Sequence, residues 1–258
     1  MKQYYEIIVN PKQDAYLNIV VLCHNNVKVT QDFLRLLYRN TPSDAFNLMM
    51  IDNDSSDSTP TFLSEYLKEK DNATLVLSKE NLGVAGGRTL GCNLCMKQRI
   101  QPEFVMFIDN DQFVLEGWLE QHIGVMGRGY DLVSVEAWQM DNKFFPIKKN
   151  THLSEHFAYV GGGGMIIRRN VIESLGMFDE QFYPAYYEDP DYCFRAYDAG
   201  FKIGWNIKSK IVHMAHQTLG ANQQEKQKVF LRSWKKFRDK WKNRKLPTIR
   251  QIDLPEFK

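Results

Sequence analysis

Phe104-Val105-Met106-Phe107-Ile108-Asp109-Asn110-Asp111 runs five apolar residues straight into paired carboxylates. A short apolar run bounded by polar residues reads as a strand. Similar runs recur upstream. Leu17 to Leu22 reads as a buried strand, Phe46 to Ile51 as a second and Thr74 to Leu77 as a third. Between them the period changes to that of a helix. Thr30 to Tyr38 sets Phe33, Leu36 and Leu37 on one face, and Phe62, Leu63, Tyr66 and Leu67 form another apolar face. Thr59 reads as the cap of that second helix, with Pro60 at its first position. A further helix is expected over Arg88 to Lys97. Strand and helix in strict alternation predict a mostly parallel sheet covered by helices. Ligands of such sheets bind beyond the carboxyl ends of the strands, where the polar clusters after Leu22, Ile51, Leu77 and Ile108 would gather.

Downstream the pattern is less regular. Leu132 to Val135, Met165 to Ile167 and Ile203 to Ile207 read as strands, and Asp189 to Asp198 as a short helix stopped by Gly200. From Gln223 a basic helix is expected to about Lys245, followed by an extended tail punctuated by Pro247 and Pro255.

A chain of 258 residues that is 43% hydrophobic can bury one sizeable core. Its formal charge of +2 singles out neither nucleic acid nor membrane as partner. Cys92 and Cys95 form C-x-x-C inside a helical pattern with no second pair to complete a zinc site, so they read as buried thiols. No stretch has the length of a membrane span and Met1 to Asp14 has no apolar core of a leader. The expectation is a cytoplasmic protein, with peripheral membrane contact left open.

Four clusters could carry chemistry. Asp109 and Asp111 would share a face if the strand continued, and two hard carboxylates suit Mg²⁺ or Mn²⁺. Asn81-Leu82-Gly83-Val84-Ala85-Gly86-Gly87-Arg88 reads as a glycine-rich loop opening a helix, where backbone and Arg88 could meet a phosphate. Tyr187-Glu188-Asp189-Pro190-Asp191 places three acids at a helix start, with Asp189 as the cap. A carboxylate tuned between helix dipole and neighbouring acids could act as a general base. His213 and His216 follow an expected strand and could ligate a metal or simply pack.

Taken in order, these stretches resemble family 2 glycosyltransferases, especially the rhamnosyltransferase-like branch. The matching segments are Asn18 to Asn26, Met50 to Thr59, Asn81 to Gly91, Phe107 to Asp111, Val160 to Arg169, Leu175 to Arg195 and Gly200 to Gly220. The resemblance implies an α/β, Rossmann-like GT-A fold over 1–222, with a nucleotide-sugar half at about 17–115 and an acceptor half at 116–222. Residues 223–258 would form a basic amphipathic helix and tail. It implies transfer of a hexose or deoxyhexose from a nucleotide-diphosphate sugar to a hydroxyl of a glycan, a lipid-linked or another acceptor. Inversion by single displacement is implied as well. By the same resemblance Cys23, His24 and Asn25 line the base pocket and Asp52 contacts base or ribose. Asn81, Gly83, Gly87 and Arg88 lie near the diphosphate. Asp109 and Asn110 meet the ribose or donor sugar, and Asp109, Asp111 and His213 hold the divalent metal. Asp189 is the base, while Glu188 or Asp191 orients sugar or acceptor. The chain departs from the family in reading Cys23-His24-Asn25 where Thr-Tyr-Asn is frequent, and Thr89 where Asn is frequent. Gly161 to Gly164 fits either close backbone approach to sugar or acceptor, or a flexible connector.

Phe230, Trp234, Phe237 and Trp241 form one helical stripe among the lysines and arginines of 226–245. Three readings follow: a helix docked on the catalytic body, a membrane-surface helix, or a contact to a nucleic-acid acceptor. Two rival functions use similar parts. A sugar-phosphate nucleotidyltransferase should carry a basic glycine-rich loop near the first strand, where Cys23-His24-Asn25-Asn26 stands instead. A non-catalytic nucleotide-sugar-binding scaffold would be free to lose Asp111 or Asp189, and both are present.

Overall fold

A computed structural model of the chain describes residues 5–9, 15–214 and 222–249. In chain order the first elements are β1 (Tyr5–Val9), β2 (Leu17–Cys23), α1 (Val27–Asn40), β3 (Asn47–Asp52), α2 (Thr59–Leu67), β4 (Ala73–Ser78), α3 (Gly83–Cys95) and β5 (Phe104–Asp109). Then come β6 (Gln112–Val114), α4 (Trp118–Met126), β7 (Leu132–Ser134), β8 (Ala137–Met140), β9 (Pro146–Lys149), β10 (Tyr159–Val160), β11 (Met165–Arg168) and α5 (Arg169–Leu175). The last are α6 (Glu188–Asp198), β12 (Ile203–Trp205), β13 (Ile211–His213) and α7 (Gln223–Trp241). His216 and Pro255 lie outside the described residues.

Eight strands form the central sheet in the order β1-β4-β3-β2-β5-β11-β7-β12. The run β4-β3-β2-β5 is parallel, as is β7 with β12. β11 runs against both β5 and β7, and β1 runs against β4. Register sets Cys23 opposite Asp52 and Leu22 opposite Asp109, so the polar ends of three strands share one rim.

Alternation along the strands divides the core between the two faces of the sheet. Ile19, Val21, Met50 and Met106 pack with Phe33, Leu37, Leu63 and Trp118 of α1, α2 and α4. Val20, Ile51, Val105 and Phe107 pack with Cys92, Cys95, Phe194 and Phe237 of α3, α6 and α7. The C-x-x-C thiols are thus core groups, both free and fully buried.

The helix expected from Arg88 begins at Gly83, so the glycine-rich loop is mostly the first turns of α3. Its glycines serve close helix-to-sheet packing. A Cβ on Gly87 would lie 2.3 Å from Leu22 Cδ1, and one on Gly91 would lie 2.5 Å from Val20 Cγ1. Gly87 is therefore a packing position.

The aromatic stripe of α7 faces inward. Phe237 is fully buried, and Phe230, Trp234 and Trp241 pack against the same core. The side that could have dipped into a membrane lines the body of the protein. Among the described residues no helix is long and apolar enough to cross a membrane.

Candidate active site

β5 ends at Asp109, and Asn110 and Asp111 form a turn before β6. The extended backbone that would have placed both acids on one face is not kept. They converge through tertiary pairing instead. β13 lies antiparallel to β6 with His213 opposite Gln112, and Met214 N–H donates to the Asp111 carbonyl at 2.9 Å. Ligand atoms of Asp109, Asp111 and His213 all lie within 4.8 Å of one another. Two carboxylates and an imidazole suit Mn²⁺ or Mg²⁺. His213 Nε2 sits 3.2 Å from Asp111 Oδ1, and that hydrogen bond raises the imidazole above its ordinary value.

Asn110 leaves this cluster. Its amide is buried and donates to Thr30 Oγ1 at 3.0 Å, so it fastens the turn to α1 and does not face a donor.

Arg88 lies between the two acid groups. Its Nη2 donates to Asp109 Oδ1 at 2.6 Å and its Nη1 to Asp189 Oδ1 at 3.2 Å. Burial alone would pull the guanidinium down, and the charges of Asp109 and Asp189 more than reverse it. The guanidinium thus joins two carboxylates.

α6 starts at Glu188, one residue before the expected cap. Tyr187, in the left-handed region at φ 72°, precedes it. Asp189 makes no cap; its Oδ2 accepts the Gly162 amide at 2.8 Å. Burial pushes its carboxyl above the ordinary range, and Arg88 and the Gly162 amide pull back only part of the way. Glu188 is buried, and its Oε2 has no hydrogen-bond partner among the described residues. Burial, then the charge of Asp189, raises it.

The four-glycine run is close approach, not a connector. A Cβ on Gly162 would stand 2.1 Å from Asp189 Oδ1, and one on Gly163 would stand 2.5 Å from Asp109 Oδ2. Its carbonyls are held from below. Ser134 Oγ donates to Gly161 O at 2.5 Å, and His122 Nε2 lies 3.0 Å from Gly164 O. Gln112 Oε1 accepts the Asp109 amide at 3.0 Å. The sequence reading singled out Gly161 to Gly164 but missed Ser134, His122 and Gln112. Only Gln112 had a signal there, its place directly after the acids.

Asp191 does not belong to this group. It is fully buried on the far side of α6, where Arg195 Nε (3.0 Å), Trp241 Nε1 (2.9 Å) and Lys240 Nζ (2.7 Å) donate to it. Two residues on a helix lie about 200° apart, so Asp189 and Asp191 cannot face one ligand.

At the other side of the rim the residues expected around the base are locked to one another. His24 Nδ1 lies 2.9 Å from Asn53 O and its Nε2 3.2 Å from Asn25 Nδ2. Asn25 Oδ1 accepts the amides of Ser56 and Asp57. Asp52 accepts from Ser55 N at 3.1 Å, and burial raises its carboxyl. Buried Cys23 Sγ donates to Ile51 O at 3.4 Å. Asn81 Oδ1 takes the Gly83 amide and Asn53 Nδ2, fixing the start of α3. Gly83, at φ 67°, leaves room for Pro184 O, which a Cβ would meet at 2.7 Å. An open cavity lined by Tyr38, Asn72 and Glu120 is at the opposite end of the strands and contains none of these acids.

A mostly parallel sheet with one reversed strand beside β5, and acids gathered at the rim, is the GT-A fold. Similar solved structures include a mannosyltransferase from Pyrobaculum calidifontis in complex with GDP-Man and Mn²⁺, at TM-score 0.67 and 15% identity over 95% of this chain and 70% of that one. GalNAc-T7 with UDP, GalNAc and Mn²⁺ gives 0.70 at 12%, over 88% and 48%. S. aureus TarS 1-349 with UDP-GlcNAc gives 0.59 at 17%, over 80% and 61%. The chain belongs to Glycosyl transferase family 2, whose sequence model matches residues 18–195. Among curated relatives, the putative glycosyltransferase EpsH of Bacillus subtilis (strain 168) is 28% identical over 45% of this chain and 32% of its own length. The glycosyltransferase AglE of Haloferax volcanii is 22% identical over 73% of this chain and 63% of its own length. The chain thus spans less than two thirds of either relative.

Proposed function

We propose that this protein transfers a hexose or deoxyhexose from a nucleotide-diphosphate sugar to an acceptor hydroxyl, by single displacement with inversion. The observation that carries this reading is the Arg88 bridge. It fixes a cation-suited group of Asp109, Asp111 and His213 at a set distance from the one-fifth-exposed carboxylate of Asp189. Family membership supports the reaction class, and the GDP-Man, UDP-GlcNAc and Mn²⁺ bound by structural neighbours support the donor and the ion. The resemblance to the rhamnosyltransferase-like branch favours a deoxyhexose. The acceptor class, glycan or lipid-linked, is set by chemistry outside this rim.

In this reading Asp189 takes the proton of the acceptor hydroxyl as its oxygen bonds to the anomeric carbon, and the bond from that carbon to the diphosphate oxygen breaks. A raised carboxyl suits this work, because the base and the hydroxyl differ less in proton affinity. Gly162 and Arg88 hold the carboxylate, one donor on each oxygen. Glu188, kept protonated by burial, adds no second negative charge where the nucleophile must approach. When bound by Asp109, Asp111 and His213, a divalent cation supplies the positive charge that a departing diphosphate requires. Asp52, Cys23, His24 and Asn25 form the wall nearest the base.

The test is release of nucleotide diphosphate from a panel of nucleotide-diphosphate sugars with Mn²⁺. Asp189→Asn should lower turnover by roughly 10²–10⁴-fold without weakening nucleotide binding. Asp111→Asn should weaken Mn²⁺ binding measured by calorimetry. Absence of both turnover and Mn²⁺-dependent nucleotide-diphosphate binding would sink the reading. A response only to a nucleoside triphosphate with sugar phosphate would favour a nucleotidyltransferase.

A further inference from the structure

The segment that leads into the candidate base is held from outside by α7. Arg232 Nη2 donates to Tyr183 O at 3.2 Å, Ser233 Oγ to Ala185 O at 2.8 Å, and Lys236 Nζ to Gln181 O. The three carbonyls lie along the short helical turn Glu180–Phe182 and the irregular segment after it. Next come Tyr186 and Tyr187, both at positive φ (73° and 72°), directly before Glu188 and Asp189. Such a conformation is unfavourable for a non-glycine residue and persists only where its surroundings enforce it. The surroundings here are α7 and the Phe144 carbonyl, to which the Tyr187 hydroxyl donates at 2.9 Å. The Tyr187 ring lies 5.3 Å from Phe230 and 5.1 Å from Phe237, and Tyr186 lies 5.6 Å from Phe230. On the other flank, Asp191 takes two of its three donors, Trp241 and Lys240, from α7.

We propose that α7 is a positioning element of the active site. Ser233, Arg232 and Trp241 set the angle of α6 and the strained Tyr186–Tyr187 turn, and through them the place of Asp189 between Arg88 and Gly162. This rests on Asp189 being the base. It gives the C-terminal helix a role that neither its charge nor its stripe of aromatics implied. None of the three side chains touches the metal-suited group, which is built on β5, β6 and β13.

Two conservative variants test it in the intact chain. Ser233→Ala removes the donor to Ala185 O. Trp241→Phe keeps a ring and removes only the N–H to Asp191. Each should lower kcat for nucleotide release about tenfold or more, since small displacements of a reacting group are costly. The donor KM and the affinity for nucleotide diphosphate with Mn²⁺ should stay within about twofold. A general loss of packing would not split kcat from KM in this way. Amide hydrogen exchange gives a second readout that needs no turnover: residues 186–189 should exchange at least about tenfold faster while the amides of β5 keep their protection. Lys235→Met, on the exposed face of α7, should change neither.

Unchanged kcat in both variants overturns the proposal, as does a parallel loss of kcat, donor affinity and β5 protection. If the unmodified protein turns over no donor, the proposed reaction fails separately. Exchange at 186–189 then decides whether α7 holds this turn: faster exchange supports it and unchanged exchange overturns it.

Discussion

Arg88 is asked to satisfy two carboxylates at once. Its planar fork can do so because Nη1 and Nη2 point to different partners, Asp189 and Asp109. A lysine is a point charge on a flexible stem and can sit beside only one of them. Arg88→Lys should therefore lower kcat by roughly 100-fold. Arg88→Met, which leaves the acids facing each other without a cation, should cost about 3 kcal/mol of folding stability in urea titrations. At this scale the residue types were legible and their partners were not. Asp109, Asp111, Asp189 and His213 announce themselves as ligands or bases by chemistry. That Arg88 bridges two acids depends on where α6 comes to rest, and no local spacing reports that. Asp191 is different. Its separation of two from Asp189 on a helix already placed it on the opposite side.

Elements show a second kind of gap. The long parallel strands β2, β3, β4 and β5 were readable from apolar runs, because each is buried on both faces. Of the three-residue strands, β7 and β12 were also readable, from the short runs at Leu132 to Val135 and Ile203 to Ile207, whereas β6 and β13 exist by pairing. The start of α3 was hidden by its glycines, which depress helix propensity but admit the strand beneath. α4 holds a buried histidine with a measurable consequence. Burial lowers the His122 imidazole from 6.5 to about 4, against the pull of the Gly164 carbonyl. The unfolded chain then binds the extra proton first as pH falls. Stability is complete above about 6.5 and declines toward pH 4, by on the order of 3 kcal/mol over that window. The raised carboxyls of Glu188 and Asp189 act in the opposite sense, so the slope attributable to His122 is the difference between the protein and His122→Asn. Urea unfolding at pH 7 and pH 5 should show the larger acid loss in the unmodified protein. Equal losses would remove the claim.

For the whole molecule, the two acid groups arrive from either side of β5, and ligand binding should report on both. Nucleotide diphosphate with Mn²⁺, each well above its dissociation constant, should raise Tm together more than either does alone. At about 100 times the dissociation constant the gain is near 2.7 kcal/mol, or on the order of 5–10 °C for a chain of this size. Asp111→Asn should abolish the Mn²⁺-dependent part in the same thermal scan. A shift that needs no metal, or that survives this substitution, would separate nucleotide binding from the Asp109–Asp111–His213 group.

The reversed strand has a mechanical consequence. β11 is laddered to β5 from Met165–Phe107 through Arg168–Phe104, and on its other edge to β7. The two flanks of the rim are thus stitched into a single continuous fabric with no seam along which they could part. A bite that clamped down by swinging one flank toward the other would have to tear those pairings. The spacing between the two flanks is thus set by the sheet itself.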